Sequence, residues 1–377
     1  MQTIKLFFQT MPFKQRVALI LLLCLLIGSF LFVHSNHSFY EQDIAQIIES
    51  KTKSTTNTED MFQNKDVIVS QLLIAELKNG DHKGERIELQ NDYSYSQGFD
   101  QNYEIGTEVF VRLSKDPQGP LMGIIDGVKR DKYLVMIGWI FVLVLLAVGK
   151  RQGFFSIISL AINIGILSLA LDLYTTSQNQ SLLWICVICI VLFTVTSLLL
   201  VNGINEKTFA AIIATLIGTF LSLAITFIAL KITGENGLRY EELQFLTRPY
   251  KTVFMAGLFI GSLGAVMDVA ITMSSSLFGL YEENPHISIK ALTKSGMEIG
   301  KDIMGTMTNI LFFAYVSGSI PMLLLYFKNA SAFGYTLSLN LSLELVRALA
   351  GGIGIVITIP IGLYTALFFI QRKKVKQ

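Results

Sequence analysis

Cysteine, histidine and charge are all scarce in this chain, and each scarcity removes a class of function. Three cysteines in 377 residues, none between Ser35 and Lys132, exclude a disulfide framework in the polar part of the sequence. Cys186 and Cys189 form a CxxC within an apolar run, but no second pair or neighbouring histidine completes a zinc site. Both read as small apolar helix residues, and no metal site is expected. The four histidines, His34, His37, His82 and His286, fall outside the apolar runs. HExxH, GxSxG and paired membrane-depth aspartates are missing, which argues against an intramembrane enzyme. The glycine series Gly296, Gly300, Gly305 has no strand before it and no GK[ST] after it, so no phosphate-cradling loop or cofactor is expected there.

What is abundant is apolar. Residues of that kind make up 52% of the chain against 15% charged, with a mean hydropathy of +0.54, the composition of a polytopic membrane protein. A bilayer core takes roughly 17–25 apolar residues per helix. Eight segments meet or nearly meet that length: Val17–Val33, Tyr133–Gly149, Phe154–Leu171, Leu182–Val201, Phe209–Leu230, Val253–Thr272, Ile303–Phe327 and Leu345–Ile370. Placing the N-terminus in the cytoplasm puts thirteen Lys and Arg of the tails and short loops, from Lys5 to Lys376, inside. Only Lys231, Arg239, Arg248, Lys251 and Lys328 fall in short outer loops, as the positive-inside rule requires. The first segment lacks an Ala-x-Ala site and a lipoprotein-type cleavage pattern around Cys24, so it reads as an uncleaved anchor. The resulting division is 1–34 (tail and first span), 35–132 (polar, outside), 133–371 (seven spans) and 372–377 (basic tail inside).

The polar segment from Ser35 to Lys132 holds eleven basic and seventeen acidic residues, net −6, leaving +8 for the rest. Those remaining basic residues are topology signals, and no case for nucleic acid arises. Around Tyr40–Glu49 the pattern suits a partial helix, followed by a loop through Asp60. Strand-like runs come next: Val67–Leu77, Glu85–Leu89, Glu108–Leu113 and Leu121–Lys129. Turns at Asn79-Gly80-Asp81, Gly106 and Asp116-Pro117 suit a small OB-like barrel or sandwich. Tyr93, Tyr95, Phe99 and Tyr103 are either a stacking platform or core and loop aromatics.

Chemistry concentrates in two of the apolar segments. Gly261, Gly264, Asp268, Thr272 and Ser275 share one helical face. Asp302, Gly305 or Thr306, and Asn309 repeat the spacing on the next helix. A charge at bilayer depth costs at least a few kcal/mol, so Asp268 is expected to meet protein or water. With Asn309, Thr272, Thr306 and Thr308 it supplies the oxygens that a proton or hard cation needs. The competing role for Asp268 is a structural salt bridge to Arg347 or Lys301, and for Asp302 a helix N-terminal charge. Thr215, Gly218, Ser222 and Thr226 form a milder face, as do Arg347, Gly351, Gly354, Thr358 and Gly362. Close helix packing is their simpler explanation. Asn163 suits an interhelical hydrogen bond. Ser274–Lys301 is hydrophilic at its start and intermittently apolar after it, suggesting an interfacial helix or a re-entrant element.

The motifs Asn202-Gly-Ile-Asn205-x-Lys207-Thr208, Gly264-Ala-Val-Met-Asp268-Val-Ala and Ser295-Gly-Met-Glu-Ile-Gly300-Lys-Asp302-Ile-Met-Gly305-Thr-Met-Thr-Asn309 resemble the YibE/F-like family of bacterial membrane proteins. The resemblance covers about Tyr133 to Ile370. It implies the longer, YibE-type arrangement, a Gram-positive type of plasma membrane, and a shorter YibF-type paralogue as a partner, to set beside a homo-oligomer. It assigns no reaction. A permease or exporter using Asp268 and Asn309 is the first reading, and a receptor or scaffold working through the outer β-domain is the alternative.

Overall fold

The computed structural model describes residues 13–98, 100–114, 121–177, 181–240 and 249–376. Expectations placed on Lys5, Phe99, Asp116-Pro117 and Arg248, and on the side chains of Lys14, Arg16 and Lys376, lie outside the described residues. Among the described residues seven helices are long and apolar enough to cross a membrane, and a five-stranded barrel follows the first. The chain divides into two units, 1–144 and 145–377.

In the first unit, helix α1 (Phe13–Ser35) leads through a short turn of 3₁₀ helix into strands β1 (Asp43–Glu59), β2 (Lys65–Leu77), β3 (Arg86–Ser94), β4 (Glu108–Ser114) and β5 (Met122–Val128). They close in the order β1-β2-β3-β5-β4, with β3 and β5 parallel and every other pair antiparallel. The alternation of Val69, Leu73, Ala75 and Leu77 turns one side of β2 into the core, against Ile44, Ile47, Ile87, Leu89 and Val111. Buried Gln71 stays satisfied by donating to Asn102 at 2.8 Å and accepting from Asn91 at 3.0 Å. Asn79, from the expected turn, accepts from the Ile44 amide at 2.6 Å and donates to the carbonyls of His37 and Gln42, both at 2.9 Å. Gly106 turns with φ of +91°.

Two expectations for this unit are corrected. Tyr40–Glu49 is not helical beyond Phe39, because Ile44, Ala45 and Ile47 are drawn into the barrel and Asp43–Gln46 pair with β4. The polar stretch that follows is no loop: Thr55–Glu59 pair in register with Lys65–Val69, forming an exposed hairpin arm rich in Thr and Ser.

A buried charge network closes the base of the barrel. Lys129 is fully buried, 3.3 Å from Glu108 and 3.2 Å from Asp131, and donates to the Val33 carbonyl of α1 at 3.0 Å. Asp131 also accepts from Tyr40 at 2.7 Å and Asn36 at 3.1 Å, and His37 approaches Glu108 at 3.3 Å. The hydrogen bond to Asp131 holds the Tyr40 phenol above its usual pKa.

Helix α2 (Asp131–Thr176) begins in the first unit and ends in the second. It breaks at Lys150, where φ is 46° and ψ −119°. A Cβ on Gly153 would run into the Leu145 carbonyl. Eight residues of unbroken helix span about 12 Å, so the chain bends sharply back here. Then follow α3 (Leu182–Asn202), α4 (Glu206–Thr233), α5 (Tyr250–Glu283), α6 (Ile289–Lys328) and α7 (Phe333–Lys376). Asn205 caps α4 by accepting from the Thr208 amide at 2.9 Å. Asn163 joins α2 to α3, donating to Ser197 at 2.7 Å and accepting from Thr196 at 2.9 Å. The stretch Ser274–Lys301 forms no separate element of its own. It is the end of α5, a turn over 284–288 and the start of α6, because its apolar residues pack inward on α7 and its polar ones point out.

Lys129→Ala is expected to destabilise the barrel by about 3–5 kcal/mol, since Glu108 and Asp131 then stay buried without a counter-charge. Thermal melts of the full-length protein in detergent, with proteolysis reporting on 36–128, check this; an unchanged melt would show the network to be dispensable.

Candidate functional site

The small-residue faces come first, because they fix which helix sides are free. Helix α7 lies against α4, α5 and α6. A Cβ on Gly218 of α4 would strike Thr358, one on Gly354 would come within 2.7 Å of Val266 of α5, and one on Gly351 would strike Leu311 of α6. Gly300 abuts Ile359, and Gly296 abuts Leu363 and Leu277. Ser222 adds a hydrogen bond of 2.7 Å to the Ala350 carbonyl. Thr215, Thr226 and Thr358 are buried in the same seams. These stripes are sites of close backbone approach. Gly261 likewise meets the Tyr315 hydroxyl, whereas an added Cβ at Gly264 or Gly305 meets nothing within 4 Å.

Asp268 lies deep within α5. It follows Lys251 by seventeen residues and precedes Glu282 by fourteen, about 26 Å and 21 Å along a helix axis. Val266, Val269, Ala270 and Met273 around it are buried, yet Asp268 is exposed on the surface of its unit, as is Gly264. Thr272 is half-buried a turn away.

The second half of the expected site lies at the same depth on the outward side of the next helix, α6. Gly261 faces Tyr315 and Leu277 faces Gly296, so α5 and α6 are antiparallel and Asp268 stands level with about Thr306. Gly300 and Leu311 turn toward α7. At 100° per residue this places Asp302, Thr306 and Asn309 on roughly the opposite side of α6, where all three are exposed. Thr306 donates to its own helix at Ile303, 3.0 Å away. Thr308 turns inward beside Gly352, and its hydroxyl is buried without a partner.

The alternative salt bridge does not form. Arg347 pairs with Glu344 on its own helix and stacks over Phe254 at 5.3 Å. Its guanidinium stands level with Gly257, eleven residues or about 16 Å from Asp268. Lys301 makes no ion pair with Asp268 either. Asp268 therefore has no ion-pair partner among the described residues.

Outside the membrane helices, Tyr103 packs on the barrel core, where burial raises its pKa, while Tyr95 is exposed beside a cleft of about 600 Å³ at the tip of the hairpin arm. Tyr93, Tyr95 and Tyr103 thus form no common stacking platform.

Sequence reasoning missed one feature. Lys290, Lys294, Glu298, Asp302 and Thr306 follow one another at intervals of four along α6, and all are exposed. The signal is present in that spacing, but it crosses the expected boundary between the stretch ending at Lys301 and the helix carrying Asp302 and Thr306.

Two family comparisons together cover most of the chain. Residues 137–372 match the family described as YibE/F-like protein, and residues 38–128 match the YibE/F family N-terminal domain. No curated protein and no solved structure matches it.

Gly218→Leu is expected to destabilise the helix bundle by about 1–3 kcal/mol through overpacking. Gly165→Leu on α2, where an added Cβ meets nothing within 4 Å, should change little. Melting of the two variants in detergent compares them directly, and equal melts would deny the close approach.

Proposed function

The chain belongs to the YibE/F-like family, and from that premise we propose a multi-pass plasma-membrane carrier of a small solute or ion. Asp268 is the group that takes up and releases the coupling proton or cation. The observation that carries this reading is an aspartate deep in an apolar helix with no counter-charge of its own. A structural acid would be expected to sit against a base, whereas a carrier's acid must exchange its partner. Thr306 and Asn309, level with it, and Thr272, one turn away, provide the neutral oxygens of a pathway.

In this reading the chain carries rather than catalyses, and the resemblance that suggested the family also suggests a shorter YibF-type paralogue beside it. The break at Lys150 supports eight crossings, with both termini inside and residues 35–132 outside. Helix α2 has 46 residues, about 69 Å of unbroken helix, more than twice a bilayer core of about 30 Å.

A second reading, a receptor or scaffold, is favoured by the exposed hairpin arm and its cleft beside Tyr95. Full transport by a chain lacking Phe39–Asp131 would exclude it.

Two measurements test the primary reading. In proteoliposomes loaded with pyranine, under a potassium potential set by valinomycin, Asp268→Asn should slow proton movement at least tenfold. Flux that matches the parent protein at every pH would remove Asp268 from the mechanism. For topology, a single cysteine in place of Ser181 should react with a membrane-impermeant maleimide from outside, as eight crossings require and seven forbid.

A further inference from the structure

Helices α4, α6 and α7 carry different chemistry outward at one level of the bundle. The contacts Gly300–Ile359, Gly296–Leu363 and Gly218–Thr358 fix that level. There α4 exposes Phe209, Ile213 and Ile217, and α7 exposes Val356, Tyr364 and Phe368, the residues of a surface made for lipid. Helix α6 exposes Lys294, Glu298, Asp302, Thr306 and Asn309 at the same depth. A charge in hydrocarbon costs at least a few kcal/mol, so this face of α6 and the neighbouring Asp268 do not meet acyl chains.

The remaining spans of the same chain have little to offer them. Between Val17 and Val33 and between Leu134 and Gly149 there is no charged or amide side chain, and Trp139 and Ser29 already bond each other at 2.7 Å. The surface is instead complementary to itself. Lys290, Lys294 and Lys301 balance Glu298, Asp302 and Asp268, so one copy brings both signs to another. Two copies inserted the same way are related by an axis along the membrane normal, which keeps every residue at its own depth. Asp268 then finds the hydroxyl of Thr306 and the amide of Asn309 on its neighbour within about one helical turn of its own level.

We propose that two copies of this chain pair in the membrane along the outward face of α6, and that Asp268 of each meets Thr306 and Asn309 of the other. The polar pathway then lies between two chains and is incomplete in one. The pairing stands on the charged face alone; only its use as a conduit rests on the carrier reading.

The test is disulfide formation between differently tagged, co-expressed copies in which Cys24, Cys186 and Cys189 are replaced by Ala. One copy carries Asp268→Cys and the other Asn309→Cys. Oxidation in native membranes should link them at least tenfold more than the lipid-facing controls Ile213→Cys and Tyr364→Cys. Glu298→Cys and Thr306→Cys, each alone, should give self-linked dimers, which guards against misfolding of the first pair. Single-chain mass in nanodiscs with no linkage at any of these positions overturns the pairing, and so does linkage equal to the controls. Linked dimers whose proton flux ignores Asp268→Asn would keep the pairing and end the carrier reading. Flux lost by Asp268→Asn in particles shown to be single chains would do the reverse.

Discussion

Hydrocarbon donates and accepts no hydrogen bonds, and that one constraint orders the helical part of this protein. Each polar side chain in an apolar helix must be satisfied by protein or by water that protein encloses. Most here are. Asn163 spends its amide on Ser197 and Thr196, Ser222 reaches the Ala350 carbonyl, and Thr226 and Thr358 return to their own helices. Arg347 is neutralised by Glu344 and covered by Phe254. Against that background Asp268 and the charged side chains on the outward face of α6 stand apart, because among the described residues no ion pair answers them.

The outer barrel solves the same problem in the opposite way. Lys129 is as deeply buried as the aliphatic core, yet two carboxylates and a backbone carbonyl surround it. Breaking such an arrangement costs far more than building a core without it would have, so it speaks for specificity more than for stability. What it specifies is local: the residues joined are the end of α1, the 3₁₀ turn, β4 and the start of α2. The base of the barrel is thereby tied to the two helix ends through which the chain enters and leaves it.

How much of this was legible in the sequence depended on whether a residue's neighbours were near it in the chain. Helix positions, the turns at Asn79-Gly80-Asp81 and Gly106, and strands β2 to β5 follow from short-range pattern and were readable. Strand β1 was not: Ile44, Ala45 and Ile47 fit a helical stripe, and only pairing with β4 and β2 makes them a strand. The start of α6 was hidden because Glu298, Lys301 and Asp302 interrupt the apolar run when hydropathy is averaged, though their inward neighbours Gly296, Gly300 and Ile303 continue the helix. The shared depth of Asp268 and Asn309 follows from the opposite directions of α5 and α6. The outward placement of Asn309 is not legible there, since it depends on which side of α6 packs on α7.

That last point bears on why glycines and charges occur in the same stretch of α6. Gly296 and Gly300 allow Ile359 and Leu363 to approach so closely that the inward side has no room for a longer side chain. With the inward face committed to packing, Lys290, Lys294, Glu298 and Asp302 stand outward at intervals of four. A tightly packed core thus creates an unsatisfied exterior. Such an exterior is tolerable in a bilayer only where something other than lipid meets it.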